Sequence, residues 1–400
     1  MTDAPSAVSR GGASLVWMAL LPVVLLVALV ALVIWSGPAD AVRGAGYPPI
    51  ERLAFQRVML GPEGIVLTVL NDGPDPVTVA QVSVDEAYWS FEARPSRVLS
   101  HLGRATITVP YPWVHGETHQ VRLMTSTGLT FDHEIGVAVA TPRPSARFLA
   151  TFTLIGLYVG VLPVAIGLLW FPLVSRIGRT SLDFLLALTV GLLAFLFVDA
   201  SHEGLNAAAT APASYQGMAL FVFGALGAYL GLEAVGGWLR ARGAAAGRSE
   251  AFVLAQLVAA GIGLHNFAEG LAISAAFSLG EAALGTLLIV GFALHNTTEG
   301  LAIVAPLGKA PVRLRDLATL GLVGGVPTIA GAWVGGFVYS PALAVLFLAV
   351  GAGAIAQVVV QITRQMAGGR PLAAHVATPA VLGGLFAGFL VMYATGMLIG

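Results

Sequence analysis

The chain contains no cysteine among its 400 residues, and only 10% of them are charged. The absence of cysteine excludes disulfide bonds, thiolate metal sites and cysteine nucleophiles. Soluble domains carry about 25% charged residues, so the scarcity of charge argues against an ordinary soluble protein. The net charge is −1, and the chain has neither a basic tract nor interleaved basic and aromatic residues. Nucleic acid is therefore not an expected partner.

Hydrophobic residues make up 57% of the chain, and the mean hydropathy is +0.85. A first apolar run covers about residues 15–35, which is enough to cross a bilayer core. It is too long for the apolar part of a signal peptide, so we expect a retained anchor. Eight further runs lie near residues 148–171, 181–203, 215–238, 251–275, 282–306, 317–338, 341–362 and 376–399. The sequence predicts a mainly α-helical polytopic membrane protein with nine transmembrane helices, one anchor plus an eight-helix bundle.

Residues 40–145 differ in character, because they hold 8 of the 20 basic and 11 of the 21 acidic residues. Short segments that alternate between apolar and polar residues, such as GIVLTVLN and VTVAQVSV, are separated by turn signals such as Asn71-Asp72-Gly73-Pro74. This spacing predicts a small β-sandwich. We therefore expect three parts: a cytoplasmic tail and anchor in 1–39, the β-sandwich in 40–145, and the eight-helix domain in 146–400.

The distribution of basic residues predicts the orientation. The loops near 204–214, 276–281 and 339–341 contain no Lys or Arg, whereas the loops between them do. Basic loops stay in the cytoplasm, so the N-terminus should lie inside. This orientation predicts a multi-pass protein of the plasma membrane with an extracytoplasmic β-sandwich.

One motif occurs twice inside the apolar runs. LHNFAEGLAI at 264–273 recurs as LHNTTEGLAI at 294–303, identical at eight of ten positions and offset by 30 residues. Each copy places a His, an Asn and a Glu at positions i, i+1 and i+4, which share one side of a helix. Polar residues are costly inside a bilayer and usually mark an ion or substrate pathway. The repeat therefore predicts a cation site between two helices.

The ligand types narrow the cation. Imidazole and carboxylate without thiolate suit Zn²⁺, Fe²⁺, Mn²⁺, Co²⁺ or Ni²⁺. The two His residues are each 15 residues from a turn near Gly280, so they should lie at similar depth. The alternative explanation, purely structural hydrogen bonds between helices, is less favoured because the whole triplet is repeated.

The paired HNxxEG pattern resembles the ZIP (Zrt-, Irt-like protein) divalent-metal transporters, whose fourth and fifth helices carry it. The resemblance covers about residues 148–400. It implies a binuclear metal centre, or a variant of it, between these helices. It also implies that His265, Glu269 and Glu299 form the primary site and that Asn266 and Asn296 belong to a second, adjacent site. His295 falls at a position that is also polar in the family.

A further segment, FVDASHEGL, is similar to the His-x-x-Pro-Glu pattern of the family's second helix. Asp199 stands at the His position, His202 replaces Pro, and Glu203 matches Glu. These three residues are candidates for the entrance or for part of the site. One departure concerns the sixth helix, where the family often has a ligating Glu before a Pro and this chain has Val326.

These observations favour the transport of divalent transition-metal ions, zinc first, into the cytoplasm, with the metal as substrate. An intramembrane metal-dependent hydrolase and a metal sensor remain as alternatives, although no HExxH motif supports an enzyme. Weaker candidates for metal capture outside the membrane are His115, His119 and the segment 132–134. The sequence leaves open the metal preference, the ion coupling, the number of bound metals, a homodimer and the role of the β-sandwich.

Overall fold

The computed structural model describes residues 12–36, 48–141, 145–278, 282–308, 310–338, 340–368, 371 and 376–399. Three regions named in the predictions lie outside the described residues. They are residues 1–11 of the cytoplasmic tail, residues 37–39 at the end of the anchor part, and the turn at Gly280. The chain divides into two units, Met1–Ile50 and Glu51–Gly400. In the first unit a helix, α1, runs over Gly12–Ser36.

The second unit contains eleven described α-helices. They are α2 Ala146–Gly156, α3 Leu162–Leu168, α4 Phe171–Val174, α5 Arg179–Thr210, α6 Gly217–Ala245, α7 Glu250–Ser278, α8 Ala282–Val304, α9 Leu314–Gly325, α10 Pro327–Val338, α11 Pro341–Ala367 and α12 Pro379–Ile399. A π-helical turn, Leu157–Val161, joins α2 to α3, and 3₁₀ turns occupy Ala213–Tyr215 and Ala305–Leu307.

Seven of the described helical segments are long and apolar enough to cross a membrane. They are Ala146–Val174, Arg179–Thr210, Ala213–Ala245, Glu250–Phe277, Leu288–Leu307, Leu314–Gly336 and Pro341–Ala367. Two shorter apolar helices, Leu20–Val33 and Pro379–Ala394, coincide with the first and last of the nine predicted spans. The chain is thus a mainly helical, membrane-type protein, while the predicted number of nine spans remains a prediction.

Nine strands form the separate β-domain. They are β1 Leu53–Gly61, β2 Gly64–Asn71, β3 Val77–Val84, β4 Ala87–Trp89, β5 Glu92–Arg94, β6 Val98–Leu99, β7 Arg104–Val109, β8 His119–Thr125 and β9 Thr130–Ile135. One antiparallel sheet has the order β1-β2-β7-β5, and the other has the order β4-β3-β8-β9 with β6 paired to β3.

A single apolar core joins the two sheets. Ile65, Leu67 and Ile107 from the first sheet and Val82 and Leu123 from the second belong to one cluster of buried side chains. Strands β7 and β8 alternate between this core and the outer face along their whole length, as the period of two in a strand requires. The β-domain is therefore a sandwich, as the alternating segments predict.

Contacts between helices are most extensive within two sets of helices, although one apolar core includes residues of both sets. The most extensive helix contacts join α7 to α10, α5 to α12, α6 to α11 and α5 to α11. We call α2, α3 and α7–α10 the site group, and α5, α6, α11 and α12 the support group. The helices α7 and α11 also contact one another, and Gly351 on α11 faces the ring of His265. A seam between the two groups therefore runs beside the repeated motif.

Glycine allows α7 and α10 to approach with their backbones in contact. A Cβ atom at Gly270 would overlap the carbonyl oxygen of Thr328, and one at Gly331 would overlap that of Phe267. Small residues serve this purpose between membrane helices, where no hydrophobic effect drives helices together.

Candidate metal centre

The structure brings four of the predicted residues together. His265 and Glu269 on α7 and His295 and Glu299 on α8 each offer a ligand atom, and all four atoms lie within 4.8 Å of one another. The four residues are buried, with exposed fractions of 7% or less. In the part of the chain that is described, this is the one group found with such an arrangement of His and acidic ligands.

Glu269 lies at the centre of the four residues. Its Oε1 atom is 2.5 Å from Nε2 of His295 and 3.2 Å from Nε2 of His265. The two imidazole rings are 6.4 Å apart between centroids, so the two His residues of the repeat are close neighbours in the structure. One carboxylate thus faces both imidazoles, and the two copies of the motif form one site.

A proline explains how Asn296 is held. Pro163 has no N–H, so the carbonyl of Val159, four residues earlier, has no helical donor from that position. Asn296 donates from Nδ2 to this carbonyl oxygen at 2.9 Å and to Glu269 Oε2 at 2.9 Å. The π-helical turn therefore supplies a fixed acceptor that orients the Asn296 amide.

A second break orients Asn266 in the same way. The helix α9 ends at Gly325 and α10 begins at Pro327, so the carbonyls in the last turn of α9 lack some of their helical donors. Asn266 donates from Nδ2 to the carbonyl oxygen of Gly324 at 3.0 Å. Because a carbonyl can only accept, both amides must present nitrogen to the backbone, which leaves both Oδ1 atoms free.

Several buried acceptors in this region have no partner. They are both carboxylate oxygens of Glu299, the Oδ1 atoms of Asn266 and Asn296, and the hydroxyl of Thr328. Asn266 interacts electrostatically with Glu299, but the contact lacks hydrogen-bond geometry. An unsatisfied buried polar group costs about 1–3 kcal/mol, and a charged one costs more. A cation is the group that could satisfy several such oxygens at once.

The candidates on α5 are not among the four converging ligands. Asp199, His202 and Glu203 have exposed side chains. Glu203 nevertheless interacts electrostatically with His265 and Glu269. Their role, as the entrance or as part of the site, stays a prediction.

The β-sandwich uses its buried histidine differently. His119 is 2% exposed, and its Nδ1 lies 2.8 Å from Asp85, which also accepts from Tyr111 and from the Gln120 N–H. Partial burial raises the pKa of Asp85, but the three hydrogen bonds lower it by more. The net result is a pKa below the ordinary value. The hydrogen bond to Asp85 raises the pKa of Tyr111 to about 12. Asp85 and His119 therefore both have hydrogen-bond partners within the sandwich.

The second candidate segment in the sandwich is also occupied. Asp132 pairs with Arg122 at 2.6 Å, and the ring of His133 stacks on Phe55 with centroids 5.0 Å apart. Burial lowers the pKa of His133. These side chains therefore have structural partners.

Sequence reasoning did not identify the backbone carbonyls of Val159 and Gly324 or the hydroxyl of Thr328. The sequence did contain a signal for the two carbonyls, since Pro163 and Pro327 each interrupt an apolar run.

No protein-family model matches the chain, and a search of curated proteins finds no match.

Proposed function

We propose that the protein transports divalent transition-metal ions, with Zn²⁺ first, across the membrane into the cytoplasm, as a member of the ZIP transporters. One observation carries this proposal. Four ligand atoms from His265, Glu269, His295 and Glu299 converge within 4.8 Å inside an apolar bundle, and the Glu299 carboxylate has no partner there.

A purely structural role explains this arrangement poorly. Glu269 alone could be a helix-to-helix acceptor, because His295 and Asn296 both contact it. Glu299 accepts no hydrogen bond, although two imidazoles and the Asn266 amide lie near it, and a buried carboxylate without hydrogen bonds is costly. A transport site must bind a cation and then release it. Acceptor atoms that no other group occupies are therefore expected at such a site.

We propose one tightly held ion in each chain. Glu269 and Glu299 carry two negative charges, which neutralise one divalent cation. Two such cations would leave net positive charge in a site of low dielectric constant. The set of two imidazoles and two carboxylates suits tetrahedral Zn²⁺. Anomalous scattering from crystals soaked in Zn²⁺ should give one fully occupied peak between α7 and α8, and two such peaks would refute this proposal.

The arrangement in the membrane is part of the same proposal. We propose nine spans, with α1 as the anchor and α12 as the last span, in the plasma membrane. The β-sandwich of 40–145 lies outside the cell, and the eight-helix domain follows in 146–400. The positions of Lys and Arg in alternate loops support this orientation.

Flux into proteoliposomes tests the function. Purified protein should move Zn²⁺ into vesicles loaded with a fluorescent chelator, and Glu299→Gln should abolish this flux. The matched control is Glu250→Gln, which changes an exposed carboxylate in the first turn of the same α7 that carries His265. Zinc-dependent hydrolysis without flux would favour a hydrolase, and binding without flux would favour a sensor.

A further inference from the structure

The β-sandwich is tied to the site group at two places. The chain leaves β9 and enters α2, whose first turn is capped by Ser145, with Phe148 N–H donating to its hydroxyl at 3.1 Å. Arg57 on β1 donates from Nη2 to the carbonyl oxygen of Gly336 on α10 at 3.3 Å. The sandwich is therefore joined to α2 through the chain itself and to α10 through the Arg57 hydrogen bond.

A separate set of contacts ties the sandwich to the support group. Asp72 accepts hydrogen bonds from the backbone N–H groups of Ala213 at 2.5 Å and Ser214 at 2.8 Å. Arg104 donates to the Tyr215 hydroxyl at 2.9 Å. All three partners lie in the 3₁₀ turn between α5 and α6.

The chemistry of this second attachment favours a defined contact. Hydrogen bonds from N–H groups to a carboxylate are stronger than neutral ones. The first N–H groups of a helical turn have no partners within the turn, so the carboxylate satisfies two of them. Asp72 is also held in place, because its own N–H donates to the carbonyl of Arg52 at 2.9 Å.

From these contacts we infer that Asp72 and Arg104 form a latch that joins the β-sandwich to the turn at 213–215 and so restrains movement between the two helix groups. The seam between the groups passes the site, where Gly351 of the support group faces His265 of the site group. Alternating access requires one part of such a bundle to move against another. If the site group moves and carries the sandwich with it, the latch must break.

The attachment itself can be measured without metal. The chain has no cysteine, so Ser126→Cys and Ala209→Cys place two unique spin labels, one on the sandwich and one near the outer end of α5. Both positions are exposed. In the full chain in nanodiscs, the distance distribution should broaden at least twofold in width when Asp72→Ala is added. The matched control, Asp132→Ala, removes a carboxylate that pairs with Arg122 within the sandwich and should leave the width unchanged.

Zinc flux supplies the second readout, and this readout rests on the proposed function. Asp72→Ala should raise the turnover rate by about tenfold. This increase corresponds to the removal of about 1.36 kcal/mol from the barrier. Asp72→Asn keeps one acceptor oxygen and should give an intermediate rate, a graded response that misfolding would not produce.

The outcomes separate the latch from transport. An unchanged distance distribution in Asp72→Ala would overturn the latch whatever the flux. A broadened distribution with an unchanged or reduced flux would overturn the restraint on movement. If the unmodified protein shows no flux, the proposed function fails, and the distance measurement alone still decides whether the attachment exists.

Discussion

A substitution of Glu299 distinguishes a metal-binding role from a structural role. The two roles predict changes of opposite sign in the stability of the metal-free protein. Both of its carboxylate oxygens are buried without partners, and its exposed fraction is 2%. Replacing it with Gln removes the charge and keeps the shape. If the residue is held for a cation, Glu299→Gln should stabilise the metal-free protein and abolish metal binding.

The magnitudes follow from burial and linkage. An unpaired buried polar group costs about 1–3 kcal/mol, and a charged one costs more, so the metal-free variant should gain about that much. At roughly 2 °C per kcal/mol for a chain of this size, the melting temperature should rise by about 2–6 °C. In the unmodified protein, Zn²⁺ at a hundredfold excess over its Kd should stabilise by about 2.7 kcal/mol. The variant should lose this metal-dependent gain.

Thermal unfolding in detergent, with and without Zn²⁺ after chelator treatment, measures both effects. The matched control is Glu233→Gln on α6, because the Glu233 carboxylate is satisfied by Gln357, Gln361 and Arg364 at 2.9–3.2 Å. A third of the Glu233 side chain is exposed, so its loss should cost only about 1–2 kcal/mol. The Glu233→Gln protein should still be stabilised by Zn²⁺.

The reasoning would be refuted by a Glu299→Gln protein that is less stable than the unmodified protein without metal and still gains stability from Zn²⁺. Such a result would mean that Glu299 supports the fold through contacts of its charged form. The converging ligand atoms would then be a structural network, and the transport proposal would lose its main support.

Three further predictions concern other parts of the chain. His265→Ala should abolish zinc uptake by cells while the protein remains at normal abundance in the membrane, because the imidazole is one of four converging ligands; normal uptake would refute the site. Ser126→Cys should be labelled by a membrane-impermeant reagent on intact cells, and labelling only after permeabilisation would reverse the proposed orientation. Acid should weaken the β-sandwich through Asp85, whose pKa is lower in the folded state than its ordinary 3.8. The stabilisation from its carboxylate is therefore fully present above pH 3.8 and is lost as pH falls through the lower, folded-state value. Asp85→Asn should destabilise the sandwich at neutral pH and remove this part of the acid dependence, as followed by near-UV circular dichroism.

The parts of the fold that follow a simple period could be predicted from sequence. The segments GIVLTVLN and VTVAQVSV are β2 and β3, residue for residue. Strand β1 was not predicted, and the register explains why. The pairing with β2 shifts between Phe55 and Arg57, so a bulge at Gln56 interrupts the alternation of apolar and polar residues.

The site could be predicted in composition but not in detail. The repeated triplets indicated which residues meet, because positions i and i+4 share a helix face and the two copies lie at equal distances from a turn. The shared role of Glu269 depends on how α7 and α8 are rotated about their axes, which the repeat does not specify. The carbonyls that orient Asn266 and Asn296 lie at the helix breaks near Pro327 and Pro163. The sequence does not show which side chain will donate to an acceptor at such a break.

The backbone contact between α7 and α10 has a consequence for how this protein tolerates mutation. At Gly270 and Gly331 even one added methyl group would collide with a main-chain oxygen, and a carbonyl cannot rotate away as a flexible side chain can. In a saturation-mutagenesis screen for metal uptake, these two positions should accept no other residue, although neither offers a ligand. A screen would then score them like binding residues, and only a measurement of folded protein would distinguish the two causes. Gly227 and Gly231 on α6, which have open space around them, should tolerate alanine in the same screen.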